Sequence, residues 1–70
     1  MNTNTVFTKE KENKKVIINK VKFSDGNNYY IDKYVISNTI AFHVGMILTD
    51  TPIHSLRKAK QIAIKYLNEH

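Results

Sequence analysis

The apolar residues of this chain change their spacing once. From Thr39 to Thr49, "TIAFHVGMILT", they alternate. Ile40, Phe42, Val44, Met46 and Leu48 point one way, and Ala41, His43, Gly45, Ile47 and Thr49 the other, which is the period of a strand. From Leu56 onward, Ala59, Ile62, Ala63, Tyr66 and Leu67 share one arc at about 100° per residue, the period of a helix. Arg57, Lys58, Gln61, Lys65 and Glu69 fall on the opposite arc, with Lys60 and Ile64 near the boundary. An alternating segment that gives way to a helical one implies a helix laid on a sheet. Two layers are the minimum for a stable domain.

Two more strands precede the alternating one. "KVIINKVKF", residues 15–23, is rich in β-branched residues, and "YYIDKYVIS", residues 29–37, follows the turn signal Asp25-Gly26. A three-residue loop, Asp25-Gly26-Asn27, sets Phe23 opposite Tyr29, Val21 opposite Ile31 and Ile17 opposite Val35. A two-residue turn at Ser37-Asn38 sets Val35 opposite Ile40, Ile31 opposite Val44 and Tyr29 opposite Met46. Both loops agree on one buried face: Ile17, Val21, Phe23, Tyr29, Ile31, Val35, Ile40, Phe42, Val44, Met46 and Leu48. Shifting either loop by one residue would put Asp32 into the core. The helix begins at a cap, Thr51 ahead of Pro52 or Ser55, and runs to about Asn68. Residues 1–13, "MNTNTVFTKEKEN", lack a sustained apolar period and read as a disordered or weakly ordered arm, with Phe7 as its anchor. The expected fold is α+β: a three-stranded antiparallel meander packed on one C-terminal helix, β-β-β-α. A flexible arm precedes a single domain over residues 14–70.

The same register leaves one sheet face open. It carries Lys20, Lys22, Tyr30, Asp32, Tyr34, Ala41, His43, Gly45 and Ile47, with Val16, Ile18 and Ile36 clustered at one end. Lysines neutralise phosphates, and tyrosines stack on bases or donate hydrogen bonds. Lys20, Lys22, Tyr30 and Tyr34 are therefore the expected nucleic-acid contacts, with Arg57 and Lys58 of the helix assisting. Solvated strands also carry lysine and tyrosine without any such role. Lys20 opposite Asp32 is a cross-strand pair, and Tyr30 covers Gly45. Tyrosine beside exposed aliphatic residues equally suits a protein contact, and the free strand edges suit a partner strand or a second copy.

Composition narrows the class. The chain has 70 residues, 11 basic against 6 acidic, and a net charge of +5. It forms one small domain that buries only about 60% of its unfolded surface. A positive balance favours polyanions, because lysine and arginine release counterions from phosphate backbones. There is no cysteine, hence no disulfide and no thiolate site, which fits a cytoplasmic setting. No leader pattern and no membrane-length apolar run are present. Two glycines exclude a glycine-rich phosphate loop. Asp32 and His43 can meet across strands, but no nucleophile or third ligand converges on them. His54 and His70 lack ligand spacing. No metal, cofactor, catalytic residue or small-molecule substrate is expected.

The β-β-β-α order, with lysines and aromatics on an open sheet face, resembles the sheet-reading DNA-binding domains of AP2-type factors and of some transposon integrases over residues 15–68. That resemblance implies DNA binding through the sheet. The helix "SLRKAKQIAIKYL" is similar in pattern to the last helix of double-stranded-RNA-binding domains, which begin with another helix that residues 1–13 do not supply. The leading expectation is a non-enzymatic nucleic-acid-binding module. The alternative is a phage- or mobile-element-type protein that modulates a host protein, or dimerises, through the same face or a strand edge. The bias toward Lys, Asn and Ile fits such an A+T-rich source.

Overall fold

The computed structural model describes residues 2–69, with Asn2 by its backbone only. Met1, at the head of the expected arm, and His70 lie outside the described residues. The chain is α+β: one antiparallel sheet and one C-terminal helix. Strands β1 (Asn2–Lys11), β2 (Lys14–Phe23), β3 (Gly26–Ser37) and β4 (Ile40–Met46) lie in the order β1-β2-β3-β4, and α1 spans Leu56–Glu69.

The sheet has four strands and not three, because the stretch expected as an arm is β1. Thr3, Thr5 and Thr8 give it β-branched character. A bulge between Thr5 and Phe7 lets the neighbours Val6 and Phe7 both pack on the core. That bulge breaks the two-residue period and hides the strand from periodicity. The fourth strand also departs from the β-β-β-α order of AP2-type domains.

The β2–β3 turn sits at Ser24–Asp25, and Phe23 pairs with Gly26. Gly26 opens β3 at a φ of 140°, a conformation few other residues adopt. The expected loop, Asp25-Gly26-Asn27, is thus displaced by an odd step, and β2 turns over relative to β3. Val16 and Ile18 enter the core instead of Ile17. Val21 and Phe23 also face away from the helix. In β3 the expected sides hold: Tyr29 and Ile31 pack toward the helix, whereas Tyr30 is exposed on the other face.

The β3–β4 turn is at Asn38–Thr39, both at positive φ (51° and 67°), and not at Ser37-Asn38. Two left-handed residues make the primed turn that matches strand twist. Threonine is a poor choice there because its branched side chain crowds the left-handed region. Thr39→Gly is expected to stabilise the domain by about 1 kcal/mol, read as a higher urea midpoint. A destabilised variant would count against this turn.

Strand β4 ends at Met46, short of the expected Thr49. A bulge at Val44 and a φ of 138° at Gly45 turn the chain out of the sheet. Ile47 then packs on the core, and its N–H donates to the Ile31 carbonyl at 2.9 Å. The Tyr29 N–H donates to the Ile53 carbonyl at 2.9 Å, so residues 47–53 run along the first half of β3.

The core joins Val16, Ile18 and Ile31 to Ile53, Ala59, Ala63 and Leu67. Ala59 and Ala63 lie one turn apart, and their small side chains let the helix sit close to the sheet. Ser55 caps the helix: its Oγ accepts from the Lys58 N–H at 3.3 Å. The helix rests on β1, β2 and β3. Ile40, Phe42, Val44, Met46 and Leu48, all expected in the core, are instead exposed.

Candidate nucleic-acid interface

Side chains directly opposite in an antiparallel pair share a face, so the register assigns every strand cation to a side. Lys14, Lys20 and Lys22 alternate in step with buried Val16 and Ile18, and so lie on the helix side. Lys9 pairs with Val16 and Lys11 with Lys14, on the same side. Lys33 also pairs with Val16. Adding Arg57, Lys58, Lys60 and Lys65 of the helix, ten of the 11 basic residues lie on the helix side. Only Lys15 faces the other way, 3.8 Å from Glu10. Of the acidic residues in strands and helix, Glu10 and Asp32 face the other way, and Glu69 of the helix lies 3.8 Å from Lys65.

Two of these cations serve the fold. Lys14 is buried at 7% exposure, donates to the Leu67 carbonyl at 3.2 Å, and lies 5.6 Å from the Tyr66 ring centre. It satisfies one of the carbonyls that a helix end leaves unpaired. Lys11 donates to Asn68 Oδ1 at 2.8 Å. Lys33 and Lys60 lie over aromatic rings, of Tyr66 at 5.8 Å and Phe7 at 5.2 Å.

The remaining cations gather at the opposite end. His54 Nδ1 lies 3.2 Å from the Asn27 carbonyl, and Ile53 is bonded to Tyr29. These contacts hold the start of α1 at the β2–β3 hairpin. Lys20 pairs with Tyr29 and Lys22 with Asn27. Lys20 and Lys22 therefore share one end of the helix side with Arg57 and Lys58. The first turn of α1 contains no acidic residue. Cations there oppose the helix dipole, whereas an anion is favoured.

The expected group of six thus divides. Lys20, Lys22, Arg57 and Lys58 come together on the helix side, while Tyr30 and Tyr34 lie on the far face. Sequence reasoning missed Lys9, Lys11 and Lys33 as members of the basic side. Lys33 alternates in step with Ile31 within β3, whereas the sides of Lys9 and Lys11 are readable only once β1 is known to be a strand.

The far face carries a different arrangement. Thr5 Oγ1 donates to Asn19 Oδ1 at 2.8 Å, and Asn19 Nδ2 donates to Asp32 Oδ2 at 2.8 Å. Asp32 Oδ1 lies 3.0 Å from His43 Nε2, and the Tyr34 ring meets His43 edge-on at 5.1 Å. One polar chain therefore crosses all four strands. The β2 residue bonded to Asp32 is Asn19, and the one opposite it is Ile17; neither is Lys20. Lys33, and not Tyr30, pairs with Gly45. No group of three His, Cys, Asp or Glu residues among the described residues is arranged to hold a metal ion. A cleft of about 280 Å³ lies between the start of β3 and residues 46–53, lined by Tyr29, Tyr30, Leu48 and Asp50 among others. No helix among the described residues is long and apolar enough to cross a membrane. No protein-family model, curated protein or solved structure matches this chain.

Proposed function

We propose that this chain is a non-enzymatic module that binds nucleic acid through the helix side of its sheet. The segregation of ten of 11 cations onto that side carries the reading. A solubility charge has no reason to avoid one face, whereas a phosphate backbone needs cations on a common surface. Lys20, Lys22, Arg57 and Lys58 form the contact cluster. Their placement at the dipole-positive start of α1 weakens the helix slightly and strengthens a phosphate contact. Tyr30 and Tyr34 are not contacts in this reading. A cytoplasmic setting is part of this reading, and a chain without cysteine is compatible with a reducing compartment.

The test is a titration with random duplex DNA and duplex RNA over a range of salt. Each phosphate covered contributes about 0.9 to the log–log salt slope on B-form DNA. Lys20→Gln/Lys22→Gln is expected to lower that slope by about 1.8, and Arg57→Gln/Lys58→Gln by a similar amount. Tyr30→Ala/Tyr34→Ala should leave affinity within about twofold, since both lie on the other face. No binding at low salt would sink the reading. Loss of binding in the tyrosine variant alone would move the site to the far face.

A further inference from the structure

Among the described residues, strand β4 pairs with β3 on one side and with no strand on the other. Such an edge presents a row of unpaired N–H and C=O groups, which natural proteins blunt with charges or proline. The opposite edge, β1, is blunted in this way by Lys9, Glu10 and Lys11. Strand β4 has neither charge nor proline, and its one bulge, at Val44, leaves residues 40–43 in regular register. Residues 34–49 contain no Lys, Arg, Asp or Glu, although 24% of the whole chain is charged. The strand is apolar as well as uncharged. Ile40 is 57% exposed, Phe42 and Val44 53%, and the following Leu48 88%.

We infer that β4 is the pairing edge for a second copy of this chain. Charge selects that occupant. Two copies at +5 each repel over most of their surface. They can approach only where both are uncharged, and β4 is the uncharged edge of each. An acidic partner finds no Lys or Arg on β4 itself, and the one beside it, Lys33, lies over the Tyr66 ring; a polyanion is drawn to the helix side. Antiparallel pairing of β4 with its own copy is isologous, so one patch supplies both halves of the contact. The axis of such a pair is normal to the sheet. The eight strands then form one continuous sheet, with both helices on the same side. Phe42 lies opposite Val35 on the helix side of the sheet, and the pairing brings its two copies toward each other on that side. The inference is independent of nucleic-acid binding, because its readout is mass.

Sedimentation equilibrium of the full chain from about 1 μM to about 1 mM tests it. The expected result is reversible association to twice 8.1 kDa. Phe42→Lys and Val44→Lys are each expected to raise the dissociation constant at least about 30-fold. Both side chains are exposed in the single chain, so circular dichroism at low concentration should be unchanged. Thr8→Lys, on β1, should leave the constant as it is. Hydrogen exchange on the unsubstituted chain gives an independent reading: amides of residues 40–46 should slow as concentration rises, and those of β1 should not. A mass of 8.1 kDa throughout the range overturns the inference. So does a dimer indifferent to both lysines, or one whose new protection falls on β1.

Discussion

Ile18→Ala is expected to cost about 2–5 kcal/mol, and Ile17→Ala less than about 1.5 kcal/mol. The two residues are neighbours of the same type, and only their faces differ. Ile18 is fully buried and pairs with the fully buried Ile31 beneath the helix. Ile17 is half-buried on the open face, opposite Asp32. Removing three carbons from Ile18 leaves a cavity between sheet and helix that neighbouring strands cannot collapse to fill. At roughly 0.05–0.15 kcal/mol per residue, a domain of this length has about 4–10 kcal/mol of stability in total. The Ile18 variant therefore sits close to the unfolding threshold, with its melting temperature lowered by roughly 10–25 °C. Thermal melts of both variants, followed by circular dichroism, read the difference. A larger loss at Ile17 than at Ile18 would mean that the β2–β3 register is the other one.

Lys14→Met should cost about 1.5–3 kcal/mol, a large effect for a single lysine. Most lysines in this chain are solvated, and replacing them changes stability little. Lys14 is different because its ammonium is enclosed by the end of the helix. Methionine retains much of the apolar stem but cannot donate to the Leu67 carbonyl. It also loses the attraction to the Tyr66 ring. The loss should appear first as fraying of the last helical turn. Faster amide exchange at residues 64–68 than at residues 57–61 would show it. A uniform loss of protection, or none, would mean that Lys14 does not secure that end. Lys65→Met provides the contrast: its pair with Glu69 is exposed on both sides and is worth only a few tenths of a kcal/mol.

The helix and the third strand were legible in the sequence because their signals are long and uninterrupted. The arc from Leu56 to Leu67 and the alternation of Tyr29, Tyr30, Ile31 and Asp32 lie in the structure as they read. What was not legible lay at irregular points. A bulge at Val6 places two consecutive residues on one side and makes a strand look like an arm. A glycine at φ 140° after a two-residue turn gives β2 the opposite parity from the Asp-Gly reading. "Val16-Ile17-Ile18" is apolar on both faces and cannot arbitrate between registers. Thr39 adopts a conformation that its own preference opposes. The basic surface was half visible: the helix stripe reads directly, whereas Lys20 and Lys22 change sides with the register. That one step separates a lysine–tyrosine face from a lysine–arginine face.

The contacts at the end of α1 bear on when the molecule can come into being. Lys11 meets Asn68 across 57 residues of chain, and Lys14 meets Leu67 across 53. Among the described residues, the buried partners of Val16, Ile18 and Ile31 beyond Ile53 all belong to the helix. On a ribosome the four strands emerge first, with an apolar face that nothing covers. They cannot complete a core until α1 has been translated and has left the exit tunnel. Closure of such distant contacts is slow compared with local helix or hairpin formation. A nascent chain stalled with α1 still inside the tunnel should remain sensitive to protease, and one stalled with α1 fully outside should be resistant.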